Sequence, residues 1–191
     1  KDIQRFNPTI IMETGWDILF FWVARMMMFS LYFVDTIPFE TIYLHGLVLD
    51  RDGKKMSKSK GTGIDPLPMA DKYGMDAVRM SLIIGNAPGQ DFRLYEEKIE
   101  GYRNFANKLW NIGRYISTQA PANTPTLSDG DAWVLEQLRI VIEKVTGYIE
   151  NYQLSLAGQA LYDFLWHDVA DWYIEYSKIQ PNPTVLRYVW H

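Results

Sequence analysis

The chain has 191 residues, 48% hydrophobic and 22% charged, with a net charge of −4. That suffices for a core in one domain or two small ones, is not a disordered composition, and argues against generic coating of nucleic acid, though a local basic patch can still bind RNA. The lack of cysteine excludes disulfides, thiolate metal sites and a cysteine nucleophile, and His45, His167 and His191 show no metal-ligand spacing.

Residues 9–13 read as a short buried strand, after which Thr14-Gly15-Trp16-Asp17 turns the chain. From Ile18 to Val34 the sequence is nearly all apolar, interrupted by Arg25 and Ser30. The run is short for a membrane span and carries a charge near its middle, so the expectation is a core helix. Thr14 or Asp17 would cap it, leaving its first N–H groups free to meet an anion or a sugar hydroxyl. Thr41 to His45 reads as a second strand ending at His45-Gly46; Leu47 to Asp50 extends, and Asp50-Arg51-Asp52-Gly53 turns. Polar groups at a strand's carboxyl end are where open α/β sheets bind nucleotides.

The segment that follows is Gly53-Lys54-Lys55-Met56-Ser57-Lys58-Ser59-Lys60-Gly61. Residues 51–60 hold five positive charges and one negative in a chain that is acidic overall. A lysine-rich loop is either a solvated turn or a cradle for a phosphate chain, in which ammonium groups act as point charges and backbone N–H groups and hydroxyls add donors.

Asp65-Pro66 is an N-cap followed by proline at the first helical position; that helix stops at Gly74, and Asp76 opens another. Asn86 to Gln90 is a loop, with a domain boundary near residue 94. Beyond it the period is helical: Tyr95 to Ser117 with Ile99, Tyr102, Phe105, Leu109, Ile112 and Ile116 on one face, Asp131 to Asn151, Leu154 to Ile179, and a start near Thr184. Residues 117–130 form a linker, and Ser128 with Asp131 resembles a capping box. Trp166, Trp172 and Tyr173 read as core. The fold class is mostly α with a small α/β part, ending in an antiparallel helical bundle.

Lys55-Met56-Ser57-Lys58-Ser59 is, letter for letter, the second signature of the class I aminoacyl-tRNA synthetases, and the chain resembles that family, most closely the valyl type of class Ia. The resemblance also rests on the run from Glu13-Thr14-Gly15-Trp16-Asp17-Ile18 to Trp22-Val23-Ala24-Arg25, on Tyr43-Leu44-His45-Gly46-Leu47-Val48, on Ile64-Asp65-Pro66 with Tyr73-Gly74-Met75-Asp76-Ala77, on Ala87-Pro88-Gly89-Gln90-Asp91, and on Tyr102 to Asn111. It implies that residues 1–94 are the C-terminal part of a Rossmann-like catalytic domain with connecting helices, and residues 95–191 an incomplete anticodon-binding helical bundle. Two reactions are implied: valine attacks the α-phosphate of ATP, releasing pyrophosphate, and the valyl group passes to the terminal ribose of tRNA-Val. ATP would act as its Mg2+ complex, without a tightly bound cofactor or protein metal site, in a cytoplasmic monomer with no membrane partner.

Within that resemblance Lys58 is the catalytic cation and Lys55 its helper, stabilising charge that grows on phosphate oxygens. Thr14, Gly15, Asp17, His45 and Gly46 fall where the family binds ATP and the adenylate. Asp17 serves the ribose, the helix N-terminus or both, and His45 is either a nucleotide contact or a satisfied buried histidine. Met56 anchors the loop; Ser57 and Ser59 donate to phosphate or cap the turn. Ile18 and Trp22, four apart, match positions lining the amino-acid pocket. Arg103, Lys108 and Arg114 are weak candidates for tRNA contact, because this half holds eight basic against twelve acidic residues and most of its charges read as a solvated face. A His-Ile-Gly-His-type turn, most of the nucleotide-binding sheet and an editing domain are absent, so the 191-residue chain alone is expected not to activate valine. Thr62-Gly63 stands where the family has Asn and an aliphatic residue, which is expected to loosen the loop's exit. The alternatives are an isoleucyl-type synthetase, against which Trp16-Asp17-Ile18 speaks, and a non-catalytic tRNA-binding helical module.

Overall fold

The computed structural model describes residues 2–57, 61–120 and 126–191. They pack as two compact units, Lys1–Gly63 with Asn86–Leu94, and Ile64–Gly85 with Tyr95–His191.

In the first unit α1 (Asp2–Phe6) leads into β1 (Thr9–Gly15), which pairs in parallel with β2 (Phe39–His45). The register sets Thr9 opposite Phe39 and Gly15 opposite His45, so both strands end at the same level. A parallel pair needs a crossover, and the apolar stretch supplies it. It opens with a 3-10 turn (Trp16–Ile18), widens into a π turn (Leu19–Val23) and continues as α2 (Ala24–Val34). Asp35, in the left-handed region at φ 55°, ends it by donating its N–H to the Leu31 carbonyl. A second parallel pair joins β3 (Val48–Leu49) to β4 (Phe92–Arg93).

Two expectations for the crossover are corrected. Neither Thr14 nor Asp17 caps it: Gly15 stands at the cap position, Thr14 is buried in β1, and Asp17 lies inside the 3-10 turn. Nor is the stretch buried. Of residues 16–34 only Val23 is interior, and Phe20, Tyr32 and Phe33 are each more than 70% exposed. A two-stranded sheet offers too little apolar surface to cover seventeen apolar-rich positions. Trp16–Val34 is long and apolar enough to cross a membrane by length and composition alone.

The second unit begins with α3 (Pro66–Tyr73) and α4 (Met75–Ile83). The Asp65 carboxylate accepts the Leu67 N–H at 3.0 Å, and Pro66 takes the position where no N–H is needed. After residue 94 come α5 (Glu96–Thr118), α6 (Asp129–Glu150), α7 (Leu154–Asp163), a π segment (Phe164–Tyr173), α8 (Ile174–Ile179) and α9 (Pro183–Trp190). Ile112, Ile116, Val134, Phe164, Val169, Tyr173 and Leu186 form its core. Ser128 and Asp131 make the expected capping box, each side chain accepting the other residue's N–H. Of the three aromatics read as core, Tyr173 is fully buried, Trp166 half-buried against Tyr162, and Trp172 is 43% exposed, stacked on Tyr176.

The packing division departs from a single boundary near residue 94. Residues 64–85 belong with the helices because Lys72 and the Tyr73 hydroxyl both bind Glu96, at 2.5 and 2.8 Å, and because Ile84 lies so close to Gly158 that a Cβ there would sit 2.8 Å from it. The chain returns to the first unit only for Asn86–Leu94.

Candidate functional site

The carboxyl ends of β1 and β2 carry the polar groups of the first unit. Side chains two apart on a strand share a face, so Glu13 and Gly15 on β1 stand beside Tyr43 and His45 on β2. The His45 Nε2 lies 3.4 Å from the Glu13 carboxylate and its Nδ1 2.9 Å from the Gly46 carbonyl. Burial first, and then the Glu13 charge, push the Tyr43 hydroxyl above its ordinary pKa. Gly15 is buried here, and a Cβ on it would come within 2.7 Å of the Asp17 carboxylate and 3.5 Å of the His45 ring. Glycine therefore lets these two side chains converge over the strand end.

The lysine segment enters from the other side. Asp50 Oδ1 accepts the N–H groups of Asp52 and Lys54, turning the chain at Gly53 (φ 80°) so that residues 54–56 run back along β3. Met56 donates its N–H to the Val48 carbonyl, and Lys55 bridges to Leu49. This places the Lys55 ammonium 3.4 Å from Asp17 Oδ2, with the lysine side chain still 63% exposed. Beyond it, Ser57 N–H donates to the Thr62 hydroxyl and Thr62 N–H to the Ser57 carbonyl, at 3.1 and 3.2 Å. Thr62 thus pairs twice with Ser57, its hydroxyl supplying an acceptor. Lys58 and Ser59 lie outside the described residues.

A third segment closes on the same strand end. Gly89 donates its N–H to the Leu44 carbonyl, and Gly46 lies so near Gln90 that a Cβ would sit 1.7 Å from the Gln90 carbonyl oxygen. The Asp91 Oδ1 accepts both the Trp16 indole N–H, at 2.8 Å, and the Leu47 N–H, at 2.7 Å. Those two donors, and then the Lys55 charge, hold the Asp91 carboxyl below the usual carboxylate range.

Of the residues expected at the site, Thr14, Gly15, Asp17, His45, Gly46 and Lys55 are thus gathered at one pair of parallel strand ends, with Met56 and Ser57 on the adjoining segment. Ile18 and Trp22 are 38% and 45% exposed, and the 3-10 and π turns between them replace the regular α-helical spacing that puts positions four apart on one face. Glu13, Trp16 and Asp91 lie in the stretches that carry the resemblance, but sequence reasoning assigned none of them a role at the site. Glu13 carried a signal, being two residues before Gly15 on a strand; the pairing of Trp16 with a carboxylate 75 positions away carried none. Among the described residues no group of three or more His, Asp or Glu side chains is placed to hold a metal ion.

In the second unit Arg103 and Arg114 are exposed on α5. Lys108 is engaged internally, 2.7 Å from Asp171 and 3.8 Å from the centroid of the Trp166 ring. Arg114 edges a groove of about 860 Å³ lined by Met80, Ile83, Leu109, Trp110 and Trp190.

Residues 1–95 match the family of tRNA synthetases class I (I, L, M and V), and residues 131–191 match the anticodon-binding domain of tRNA ligase. The chain is 49% identical to the valine–tRNA ligase of Clostridium tetani over 93% of its length and 45% identical to that of Aquifex aeolicus over 93%, and it spans 21% and 16% of those two proteins. It thus spans about a fifth of the length of the curated relatives it matches. Among solved structures it is similar to Mycobacterium tuberculosis methionyl-tRNA synthetase bound by methionyl-adenylate, with a TM-score of 0.79 and 27% identity over 98% of this chain and 40% of that one. It also shares the fold of an Agrobacterium radiobacter leucyl-tRNA synthetase in a ternary complex, with a TM-score of 0.78 at 21% identity over 96% of this chain and 24% of that one. With the lysine signature, the strand-end turn and both domain models in chain order, this chain belongs to the class I tRNA synthetases.

Proposed function

We propose that the chain is a segment of a valine–tRNA ligase, which uses ATP to activate valine and transfers it to tRNA-Val. The 49% identity to a valine–tRNA ligase over nearly the whole chain carries this reading; the gathering of Gly15, Asp17, His45 and Lys55 at one strand end supports it. In this mechanism Gly15 admits the adenosine close to the backbone and Asp17 accepts hydrogen bonds from the ribose hydroxyls. His45, fixed between Glu13 and the Gly46 carbonyl, stands beside them. ATP enters as its Mg2+ complex. Lys55 and Lys58 place positive charge against the α-phosphate and the departing pyrophosphate, where negative charge grows in the transition state. Ile18 and Trp22 bound the valine side chain, a shape discrimination worth only about 1–3 kcal/mol per methylene. The second unit holds tRNA-Val, with Arg103 and Arg114 directed to its phosphates, while Lys108 is held internally by Asp171 and Trp166. The reading makes the whole protein a cytoplasmic monomer, as the family resemblance implies.

The test is aminoacylation by the intact protein that contains these residues, with labelled valine or isoleucine and a tRNA-Val transcript. The expected result is valylation of tRNA-Val. Charging with isoleucine in preference, or no charging by a protein that melts cooperatively, contradicts the proposal.

A further inference from the structure

One carboxylate oxygen at the candidate site makes a long-range junction that the proposed reaction does not itself use. Asp91 Oδ1 receives the Trp16 indole N–H and the Leu47 backbone N–H, at 2.8 and 2.7 Å. Trp16 stands between Gly15 and Asp17, in a 3-10 turn that no side chain caps. Leu47 follows His45-Gly46, the end of the neighbouring strand. The ribose-side turn and the histidine-side turn are thus joined through a single acceptor on a third segment. That segment is itself fixed: Gly89 donates to Leu44, Phe92 donates to Leu47, and the Gln90 carbonyl sits in the space that a side chain at position 46 would take.

We propose that Asp91 is a positioning residue for nucleotide binding: by holding the Trp16 indole and the Leu47 amide on one oxygen, it sets the separation of Asp17 from His45. The 3-10 turn has no other side-chain tether among the described residues except the Lys55–Asp17 pair, which a bound nucleotide must compete with. Without Asp91, and with Lys55 drawn to the nucleotide, no other side-chain tether among the described residues holds the Trp16 turn, and the Asp17 carboxylate is free to shift from its place beside His45. Since both hydrogen bonds run to one oxygen, an amide at position 91 can accept them as well as a carboxylate. The charge on Asp91 is therefore dispensable and the acceptor is not. The inference rests on the reading of this strand end as the ATP site, and not on valine being the amino acid.

The experiment measures the Kd for ATP by equilibrium dialysis, without amino acid, on the intact protein and its Asp91→Ala, Asp91→Asn, Trp16→Phe and Asp91→Ala/Trp16→Phe variants, with the KM for ATP and kcat of adenylate formation alongside. Asp91→Ala and Trp16→Phe are each expected to weaken ATP binding about tenfold, and the double variant by no more than the stronger single one. Asp91→Asn keeps ATP binding within about twofold of the parent. KM rises in the single variants while kcat changes little; a purely structural loss would lower the active fraction, and so kcat, at constant KM. Parental ATP affinity in Asp91→Ala, multiplicative losses in the double variant, or Asp91→Asn as damaging as Asp91→Ala would each overturn the inference. An intact protein that binds ATP but activates another amino acid sinks the valine proposal and leaves this comparison able to decide.

Discussion

Replacing Asp131 with alanine is expected to cost the helical unit about 3–5 kcal/mol, since it removes the acceptor from several buried donors at once. Asp131 is 2% exposed. Its Oδ1 accepts the Tyr173 hydroxyl at 2.5 Å, and its Oδ2 accepts the Asn182 side-chain amide at 2.9 Å and the Ser128 N–H at 3.0 Å. Tyr173 is fully buried and Asn182 2% exposed. One carboxylate therefore closes the start of α6, anchors the π segment, and holds the residue that caps α9, whose Val185 N–H donates to Asn182. Asparagine keeps an acceptor for Tyr173 but turns an amide donor toward the Asn182 and Ser128 donors, so it recovers only part of the loss. Hydrogen exchange of the α6 and α9 amides in the intact protein reads this directly, and unchanged protection in Asp131→Ala contradicts it.

The same network has a pH signature. Burial acts to raise the Asp131 pKa, and the hydrogen bonds from Tyr173, Ser128 and Asn182 together overcome it, leaving the carboxyl below its ordinary value. A carboxyl whose folded pKa is depressed contributes stability that is fully present above its unfolded pKa and is lost as pH falls through the folded one. The α6 and α9 amides should thus lose protection below about pH 4, and Asp131→Asn should flatten that limb.

The second large effect falls on the lysine segment. Lys58→Ala in the intact protein is expected to slow adenylate formation about 10²–10³-fold, corresponding to about 2.7–4 kcal/mol, the range for removing one preorganised donor aimed at developing charge. Lys55→Ala is expected to cost less, because the proposed mechanism gives Lys55 the helper's part. Its present partner does not oppose its use: the Lys55–Asp17 pair is solvent-exposed, and such pairs contribute about 0–1 kcal/mol. The ammonium can therefore leave Asp17 for a phosphate at little cost, freeing the carboxylate for the ribose. Single-turnover adenylate formation checks both variants. A loss below about threefold in Lys58→Ala would return the segment to the status of a solvated turn.

Local chemistry decided what was legible in the sequence. Asp65-Pro66 and Ser128 with Asp131 each determine a helix start through the positions next to them, and each start lies within two residues of its expected place. The strands at β1 and β2 were legible for the same reason, each extending two residues beyond its expected bounds, but residues 9–13 are not the buried strand expected: Ile10 and Ile11 are exposed. The apolar run from Ile18 to Val34 misled because hydrophobicity reports what a segment would prefer to bury and not whether a cover is available. The helices of residues 64–85 went to the second unit through Glu96 and Gly158, contacts that no periodicity encodes. At the site, Gly15, Asp17, His45 and Lys55 were legible as a signature, whereas the Asp91 junction spans 75 positions to Trp16 and 44 to Leu47 and is visible only once the chain is folded. Lys108 shows the reverse case: a basic residue eligible for tRNA by composition has its charge taken up by Asp171 and Trp166.

The most direct test of the account is a crystal structure of the intact protein with a non-hydrolysable valyl-adenylate analogue. The ribose hydroxyls are expected on Asp17, the adenosine against Gly15 and His45, and the Lys55 ammonium more than 4 Å from Asp17, having left the 3.4 Å pair seen here. An adenylate bound elsewhere, with the Lys55–Asp17 pair intact and the strand end empty, would contradict it.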